Sequence, residues 1–292
     1  MTAPVQGTEP FSVLMPLYQG DRAQRAEDAL RSATTEQTLR PDHLVLAVDG
    51  PLPSELESLA GRVADGEFGP STVLRHPRHR GLAPVLQDAL EAMPTDVVVR
   101  ADADDLCRPE RFALQVPRFT EHRLDLLGGA MQEFSDTVPR GTGPLRRRPL
   151  GHDEIRRYLP THSPFHHPTM TLRVSTALAA GGYRELPFLE DYWLWERMLL
   201  AGARTENLPD VLVDYRVDED LFARRGGWRM MLSDMRLQRI FLADGIISAP
   251  GCVRNLVMRS CYRLAPGSLR RLAYRTLVET AGIGQRRRRR TT

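Results

Sequence analysis

The stretch Asp96-Val-Val-Val-Arg-Ala-Asp-Ala-Asp-Asp105 joins a short apolar run to three carboxylates, Asp102, Asp104 and Asp105. An unbroken apolar run of this kind reads as a strand buried on both faces, not as the alternating strand of a half-solvated sheet. Outward from it, three more runs have the same character. Phe11-Ser-Val-Leu-Met-Pro16 reads as a strand stopped by its proline, His43-Leu-Val-Leu-Ala-Val48 as one ending at Asp49-Gly50, and Ser71-Thr-Val-Leu74 as a short one. Helical spacings lie between them: Ala26, Ala29, Leu30 and Ala33, then Val85, Leu86, Ala89, Leu90 and Met93. Pro109 opens a further helix with Phe112, Val116 and Phe119 on one side. This alternation predicts an α/β fold: a Rossmann-like, mainly parallel sheet flanked by helices.

In such sheets ligands bind beyond the carboxyl ends of the strands, which selects Pro16, Tyr18, Asp49, Asp102 and Asp104. Crowded carboxylates repel one another, so the cluster needs a cation or hydrogen-bond donors to offset it. A hard divalent ion, Mg2+ or Mn2+, takes one or two carboxylates plus phosphate oxygens and suits an activated nucleotide substrate. The plainer alternative is capping of the following helix by Asp104 or Asp105. The loop from Pro139 to Pro149, with Arg146 to Arg148, reads as a flexible basic excursion.

A second constellation is Pro187-Phe-Leu-Glu-Asp-Tyr-Trp-Leu-Trp195. Glu190 and Asp191 stand at a helix start, where a carboxylate either caps the helix or takes a proton from an acceptor hydroxyl. Trp193 and Trp195 offer flat faces to a sugar ring or, alternatively, belong to the core. Gly181-Gly182 upstream either lets the backbone approach a ligand or simply makes a turn.

The chain has 292 residues, 41% hydrophobic and 26% charged, enough for one substantial core and too apolar for a disordered tail protein. Cys107, Cys252 and Cys261 are odd in number and lack zinc-ligand spacing, which points to a reducing, cytoplasmic compartment. Neither a basic-then-apolar leader nor an apolar run of about 18 residues is present, so a secreted or membrane-spanning protein is not expected. All 40 basic residues are arginine, and they are unevenly spread. Residues 1–224 hold 25 Arg against 34 Asp and Glu, a net −9; residues 225–292 hold 15 Arg against 3 acids, a net +12. An acidic body is followed by a segment suited to an anionic surface.

Taken together, SVLMPLY (Ser12 to Tyr18), VDG (Val48 to Gly50), RGLAPVLQDAL (Arg80 to Leu90), RADADD (Arg100 to Asp105), HPTM (His167 to Met170), GGY (Gly181 to Tyr183), LEDYWLW (Leu189 to Trp195) and LVDYRV (Leu212 to Val217) resemble glycosyltransferase family 2, in the family's order. The last segments are most similar to the subgroup that builds bacterial capsular and exopolysaccharides, the amylovoran galactosyltransferase type. The resemblance implies a GT-A fold and an inverting, metal-dependent transfer from a nucleotide sugar, most often a UDP-sugar, to a lipid-linked or saccharide acceptor. It further implies that Pro16 and Tyr18 border the base, Asp49 accepts its imide N–H, Gly81 belongs to the nucleotide site and Asp102 contacts the nucleoside. Asp104 would hold Mn2+ or Mg2+, Asp191 would be the base with Glu190 beside it, and His167, Gly182, Trp193 and Arg216 would lie near donor or acceptor. Two departures stand out: RHPRHRG (Arg75 to Gly81) lacks the asparagine usual before the glycine, and Asp218 replaces the usual histidine after Val217.

The expected organisation is a disordered N-terminus over residues 1–10, a GT-A domain over 11–223, a basic amphipathic helical segment over 224–282 and a disordered arginine-rich tail over 283–292. In the rear segment Trp228, Met231, Leu232 and Met235 share one helical face, as do Val253, Leu256, Val257 and Leu264, then Leu269, Leu272 and Ala273. Such faces lie on an anionic membrane, making the protein peripheral at the inner face of the cell membrane, or else pack on the body and leave the arginines solvated. Competing functions are a sugar-phosphate nucleotidyltransferase, for which Leu17-Tyr-Gln-Gly20 lacks the glycine-rich basic phosphate loop, and a non-catalytic adaptor for anionic surfaces. Nucleic acid is the less favoured partner, since it leaves the acidic cluster without a role.

Overall fold

The computed structural model describes residues 8–217 and 228–264. Asp218, the boundary near residue 224, and the arginine-rich stretch from residue 265 onward lie outside the described residues.

The first half of the chain forms the expected alternation. It runs β1 (Phe11–Tyr18), α1 (Ala23–Ala33), β2 (His43–Asp49), α2 (Ser54–Ala64), β3 (Ser71–Arg75), α3 (Leu82–Glu91) and β4 (Val97–Arg100). β1 pairs in parallel with β2 and β4, and β2 with β3. Beyond β4 the sheet turns mixed. The added elements are β5 (Leu106–Cys107), α4 (Arg111–Glu121), β6 (Leu126–Phe134), β7 (Leu145–Arg146), α5 (His152–Tyr158), β8 (Thr171–Arg173), α6 (Val174–Ala179), α7 (Glu190–Leu200) and β9 (Thr205–Arg216). The sheet order is β3-β2-β1-β4-β8-β6-β9-β5, with β7 on β6. β8 runs antiparallel to both β4 and β6, while β6 and β9 are parallel.

Side chains alternate across β1 and fill two apolar layers. Phe11, Val13, Met15 and Leu17 pack with α1, α2 and α4, whereas Leu14 joins Val45, Ala47 and Val98 against α3, α6 and α7. Both faces of the parallel half are therefore covered, which is why its strands read as continuous apolar runs.

Three expectations change. β1 runs through Pro16 to Tyr18 instead of stopping at the proline. Phe11 O accepts from Asp42 N on the β2 side and Leu14 O from Ala101 N on the β4 side. By alternation Pro16 faces the β4 side, past the end of that short strand, so its missing N–H removes no ladder bond. The loop from Pro139 to Pro149 is not a free excursion: β7 pairs with Met131 and Gln132, and buried Arg146 pairs with Glu133. The rear helices, α8 (Trp228–Ala243) and α9 (Ala249–Leu264), present other faces than periodicity predicted. α8 buries Met230, Leu237 and Phe241, with the Phe241 ring 5.3 Å from Tyr192, and leaves Trp228 and Leu232 exposed. α9 exposes Val253 and Val257 and buries Cys252 and Asn255. Among the described residues no helix is long and apolar enough to cross a membrane.

Candidate active site

Register places the ends of β1 and β2 side by side, with Tyr18 opposite Asp49. Asp49 is 5% exposed, and its carboxylate gathers the loop that follows β3. It accepts from Arg80 N at 2.6 Å and Gly81 N at 3.0 Å, and His79 Nδ1 lies 2.8 Å away. Gly81 takes φ of 90°, a left-handed conformation that lets its N–H turn toward the carboxylate. The Tyr18 and His79 rings face each other at 6.3 Å, and both are exposed. His79 stands in the string that lacks the asparagine, so the turn is held there by an imidazole beside Asp49.

Beyond β4, Asp102 and Asp104 are half-buried and Asp105 is buried. Asp105 Oδ1 accepts from Arg216 N at 2.8 Å, while Arg216 Nε donates to the Asp104 carbonyl at 3.1 Å. The end of β9 is thereby tied to the acidic loop, and the Arg216 guanidinium lies 4.4 Å over the Phe134 ring. Burial, then the charges of Asp104 and Asp102, push the Asp105 carboxyl well above its ordinary value. Asp105 Oδ2 has no hydrogen-bond partner. Mutual repulsion of this kind is what a cation relieves. Among the described residues no three His, Cys, Asp or Glu side chains converge into a closed metal cage. The set fits a hard divalent ion whose shell phosphate oxygens would complete, and Asp104 is a residue that could hold it.

Glu190 and Asp191 occupy the first turn of α7, whose N-cap is Leu189 with no side-chain cap bond. Asp191 Oδ1 accepts from Tyr192 N at 2.7 Å. Asp191 is partly open to solvent, whereas Glu190 is 8% exposed. Burial raises Asp191 to about 6, against the pull of the Tyr192 N–H and Arg100. Burial, then the charge of Asp191, raises Glu190 to about 7. A carboxylate poised near neutrality and partly open to solvent is suited to accept a proton.

Arg100, 3% exposed at the end of β4, donates through Nη1 to Asp102 Oδ1. Its charge acts on Asp191, Glu190, Tyr183 and His167 alike. His167 Nε2 lies 2.8 Å from Tyr183 Oη, and burial followed by Arg100 holds the imidazole well below its ordinary pKa, so it stays neutral. Gly182 is confined to glycine: φ is 58°, and an added Cβ meets Gln87 Oε1 at 1.8 Å, the oxygen that accepts from Tyr183 N. Trp193 does not join this group. Its ring is approached by the guanidinium groups of Arg184 and Arg197, at 5.6 and 5.0 Å, two residues round the helix from Asp191. Trp195 is fully buried against Phe165 and His167.

The family model for glycosyl transferase family 2 matches residues 12–180. The chain belongs to that family. Among its relatives, the amylovoran biosynthesis glycosyltransferase AmsE of Erwinia amylovora is 33% identical over 268 residues, covering 90% of this chain and 97% of the relative. An Escherichia coli UDP-Gal:alpha-D-GlcNAc-diphosphoundecaprenol beta-1,3-galactosyltransferase is 30% identical, covering 93% of this chain and 97% of that one. The fold is shared with S. aureus TarS in complex with UDP-GlcNAc, at a TM-score of 0.63 and 16% identity over 86% of this chain and 72% of that one. It is shared as well with the mannosyltransferase PcManGT of Pyrobaculum calidifontis in complex with GDP-Man and Mn2+, at a TM-score of 0.60 and 17% identity over 89% of this chain and 71% of that one.

As a family 2 glycosyltransferase with a GT-A-like fold, the protein has two side-chain groups at the ends of its first strands. One joins Tyr18, Asp49, His79 and Gly81; the other joins Arg100, Asp102, His167, Tyr183, Glu190 and Asp191. Arg100, Tyr183, Gln87 and His79 escaped the reading of the sequence as site residues. Arg100 alone carried a signal, a charged residue closing an otherwise apolar buried strand next to the acidic cluster.

Proposed function

We propose that this family 2 enzyme transfers a hexose, with inversion, from a UDP-sugar to a hydroxyl of a lipid-linked saccharide during cell-surface polysaccharide synthesis, at the inner face of the cell membrane. The observation that carries the reading is Asp191: one carboxylate of raised pKa, reached by solvent, in the same electrostatic cluster as the acidic loop. Similarity to relatives named for amylovoran synthesis and for a diphosphoundecaprenol-linked acceptor supports the substrate class. Family membership favours sugar transfer over the nucleotidyltransferase and adaptor readings.

Asp191 accepts the proton of the acceptor hydroxyl as its oxygen forms a bond to the donor's anomeric carbon. The bond from that carbon to the diphosphate oxygen breaks, and the diphosphate departs with the electron pair. A single displacement inverts the centre; a retaining route needs a second carboxylate as nucleophile, and buried Glu190 does not supply it. Asp104, with Asp102 beside it, would hold Mn2+ or Mg2+, which supplies charge neutralisation at the departing diphosphate. Tyr18, Pro16 and the Asp49 loop border the base. Arg100 keeps Asp102 in place and holds down the pKa values of the two carboxyls on α7.

The test is a panel of nucleotide sugars with Mn2+ and a diphospholipid-linked monosaccharide, followed by anomeric assignment of the product by NMR. Turnover of a UDP-hexose with an inverted anomeric centre is expected. Retention at that centre, or preference for a guanosine or thymidine donor, rejects the corresponding part of the reading.

A further inference from the structure

α9 is built inside out. Beside Cys252 and Leu256, which pack on the core, its inward face is polar: Asn255 Nδ2 donates to the Pro160 carbonyl at 2.8 Å and to Gln238 Oε1 at 2.9 Å. Arg259 donates to Asp234 Oδ1 at 2.5 Å and to the Thr161 carbonyl at 2.6 Å, and Arg263 reaches Asp234 Oδ2 at 2.8 Å. Asp234 is 1% exposed, so two arginine heads are neutralised against the body instead of facing water. The outward face holds what a helix normally buries. Val253, Val257 and Met258, at positions i, i+4 and i+5, are 61%, 58% and 60% exposed, and Cys261 lies exposed one turn further on.

Such an arrangement has a cost in water and needs an apolar surface to relieve it. The surrounding charge says which kind. Arg254 is exposed within the same face, and Arg229, Arg236 and Arg239 are exposed on α8. The 28 residues that follow Leu264 add eight arginines and one carboxylate. A second copy of this chain would bring two such segments together, each contributing a net +12 over residues 225–292. An anionic lipid surface instead meets the aliphatic side chains with its acyl boundary and the arginines with its phosphates.

We propose that the outward face of α9, Val253, Arg254, Val257, Met258 and Cys261, is the surface by which this protein lies on an anionic phospholipid bilayer. The inference goes beyond the transfer reaction and stands whatever the donor sugar is. The body is held toward the membrane by polar bonds on one side of the helix, and the lipid is met by the other.

The three cysteines provide the probe. Cys107 and Cys252 are buried and Cys261 is exposed, so a polarity-sensitive fluorophore on the full chain reports from the proposed face. On vesicles containing phosphatidylglycerol its emission shifts to the blue, and lipids brominated in the acyl chain quench it; vesicles of phosphatidylcholine alone give neither effect. In flotation assays, Val253→Ser/Val257→Ser/Met258→Ser lowers affinity for the anionic vesicles by about tenfold or more while keeping the wild-type melting temperature and UDP binding. Added salt weakens both proteins through the arginines. The proposal is overturned if the labelled protein ignores anionic vesicles at low salt or the label stays in water on binding. It is equally overturned if the triple variant binds as tightly as wild type, which assigns the contact to arginines alone. A Cys261 cross-linked dimer that the triple variant abolishes would make the face an interface between copies.

Discussion

The Arg100 guanidinium donates to Asp102 Oδ1 at 2.5 Å from a position that is 3% exposed, and the same charge opposes the burial that raises Asp191 to about 6. For a base that must be ionised to accept a proton, activity falls as pH drops through the folded pKa. Replacing Arg100 with Met removes the cation, so Asp191 keeps its proton to higher pH and the acid limb of the kcat/KM profile moves up from about 6. Arg100→Lys restores the limb toward wild type. A limb that stays in place in Arg100→Met reduces Arg100 to a support for Asp102.

Asp191→Asn separates binding from turnover. Asparagine keeps the shape and an oxygen for the Tyr192 N–H, and it removes the basic charge. Turnover falls about 10²-fold to 10⁴-fold while UDP and Mn2+ bind nearly as in wild type. Turnover within about threefold of wild type would transfer the base assignment to Glu190.

Nucleoside diphosphate binding is expected to need a divalent ion, because the carboxylates of Asp102 and Asp104 otherwise face the phosphates with like charge. Calorimetry with UDP loses its signal when EDTA is added, and Asp104→Ala reproduces the loss with Mn2+ present. Full affinity in either experiment removes the ion from the site.

Gly182→Ala tests the backbone beneath the cluster. The added Cβ meets Gln87 Oε1 at 1.8 Å and φ is 58°. Displacing Gln87 also frees the Tyr183 N–H that it binds at 2.7 Å. A loss of about 2–4 kcal/mol in chemical denaturation is expected, together with reduced turnover as Tyr183 and His167 shift. Gln87→Ala in the same background recovers part of the stability by removing the clash.

Glu196, fully buried on α7 with the Asp244 carboxyl beside its own, is raised to about 7 by burial and then by the charge and hydrogen bond of Asp244. Its folded pKa lies above the unfolded one, so the folded state holds the proton more tightly. The residue's contribution to stability is therefore lost as pH climbs from about 4.5 to about 7. Glu196→Gln should melt above wild type at about pH 8 and converge with it near pH 5. Equal melting temperatures across that range would mean that Glu196 ionises without penalty.

The parallel half of the sheet was legible because its cues are local. The runs at Phe11, His43, Ser71 and Asp96 are apolar throughout, since the strands they form are covered on both faces. The placement of the acidic loop and the Glu190–Asp191 pair was legible for a related reason: one follows directly on a strand and the other opens a helix, so position in the chain predicts position in the fold. The surroundings of Trp193 were not legible, because helical spacing does not say which neighbours lie over a ring, and Arg184 and Arg197 lie over this one. Arg100 acquires its meaning from groups dozens of residues away, His167, Tyr183 and Asp191, that meet it only in the folded chain.

The residue pattern alone thus sufficed for the strand-helix order, the family and the carboxylates at the strand ends, all of which rest on short-range periodicity and on motifs read in order. Which side of α9 turns inward was decided by tertiary structure. Its apolar residues offered a face either to a membrane or to the body, and Asp234 on α8 and the carbonyls of Pro160 and Thr161 claim Arg259, Arg263 and Asn255 for the body instead. A buried carboxylate left without its arginines would be an unpaired charge, a larger penalty than three aliphatic side chains in water, so the charge pairing sets the helix rotation and the valines face out.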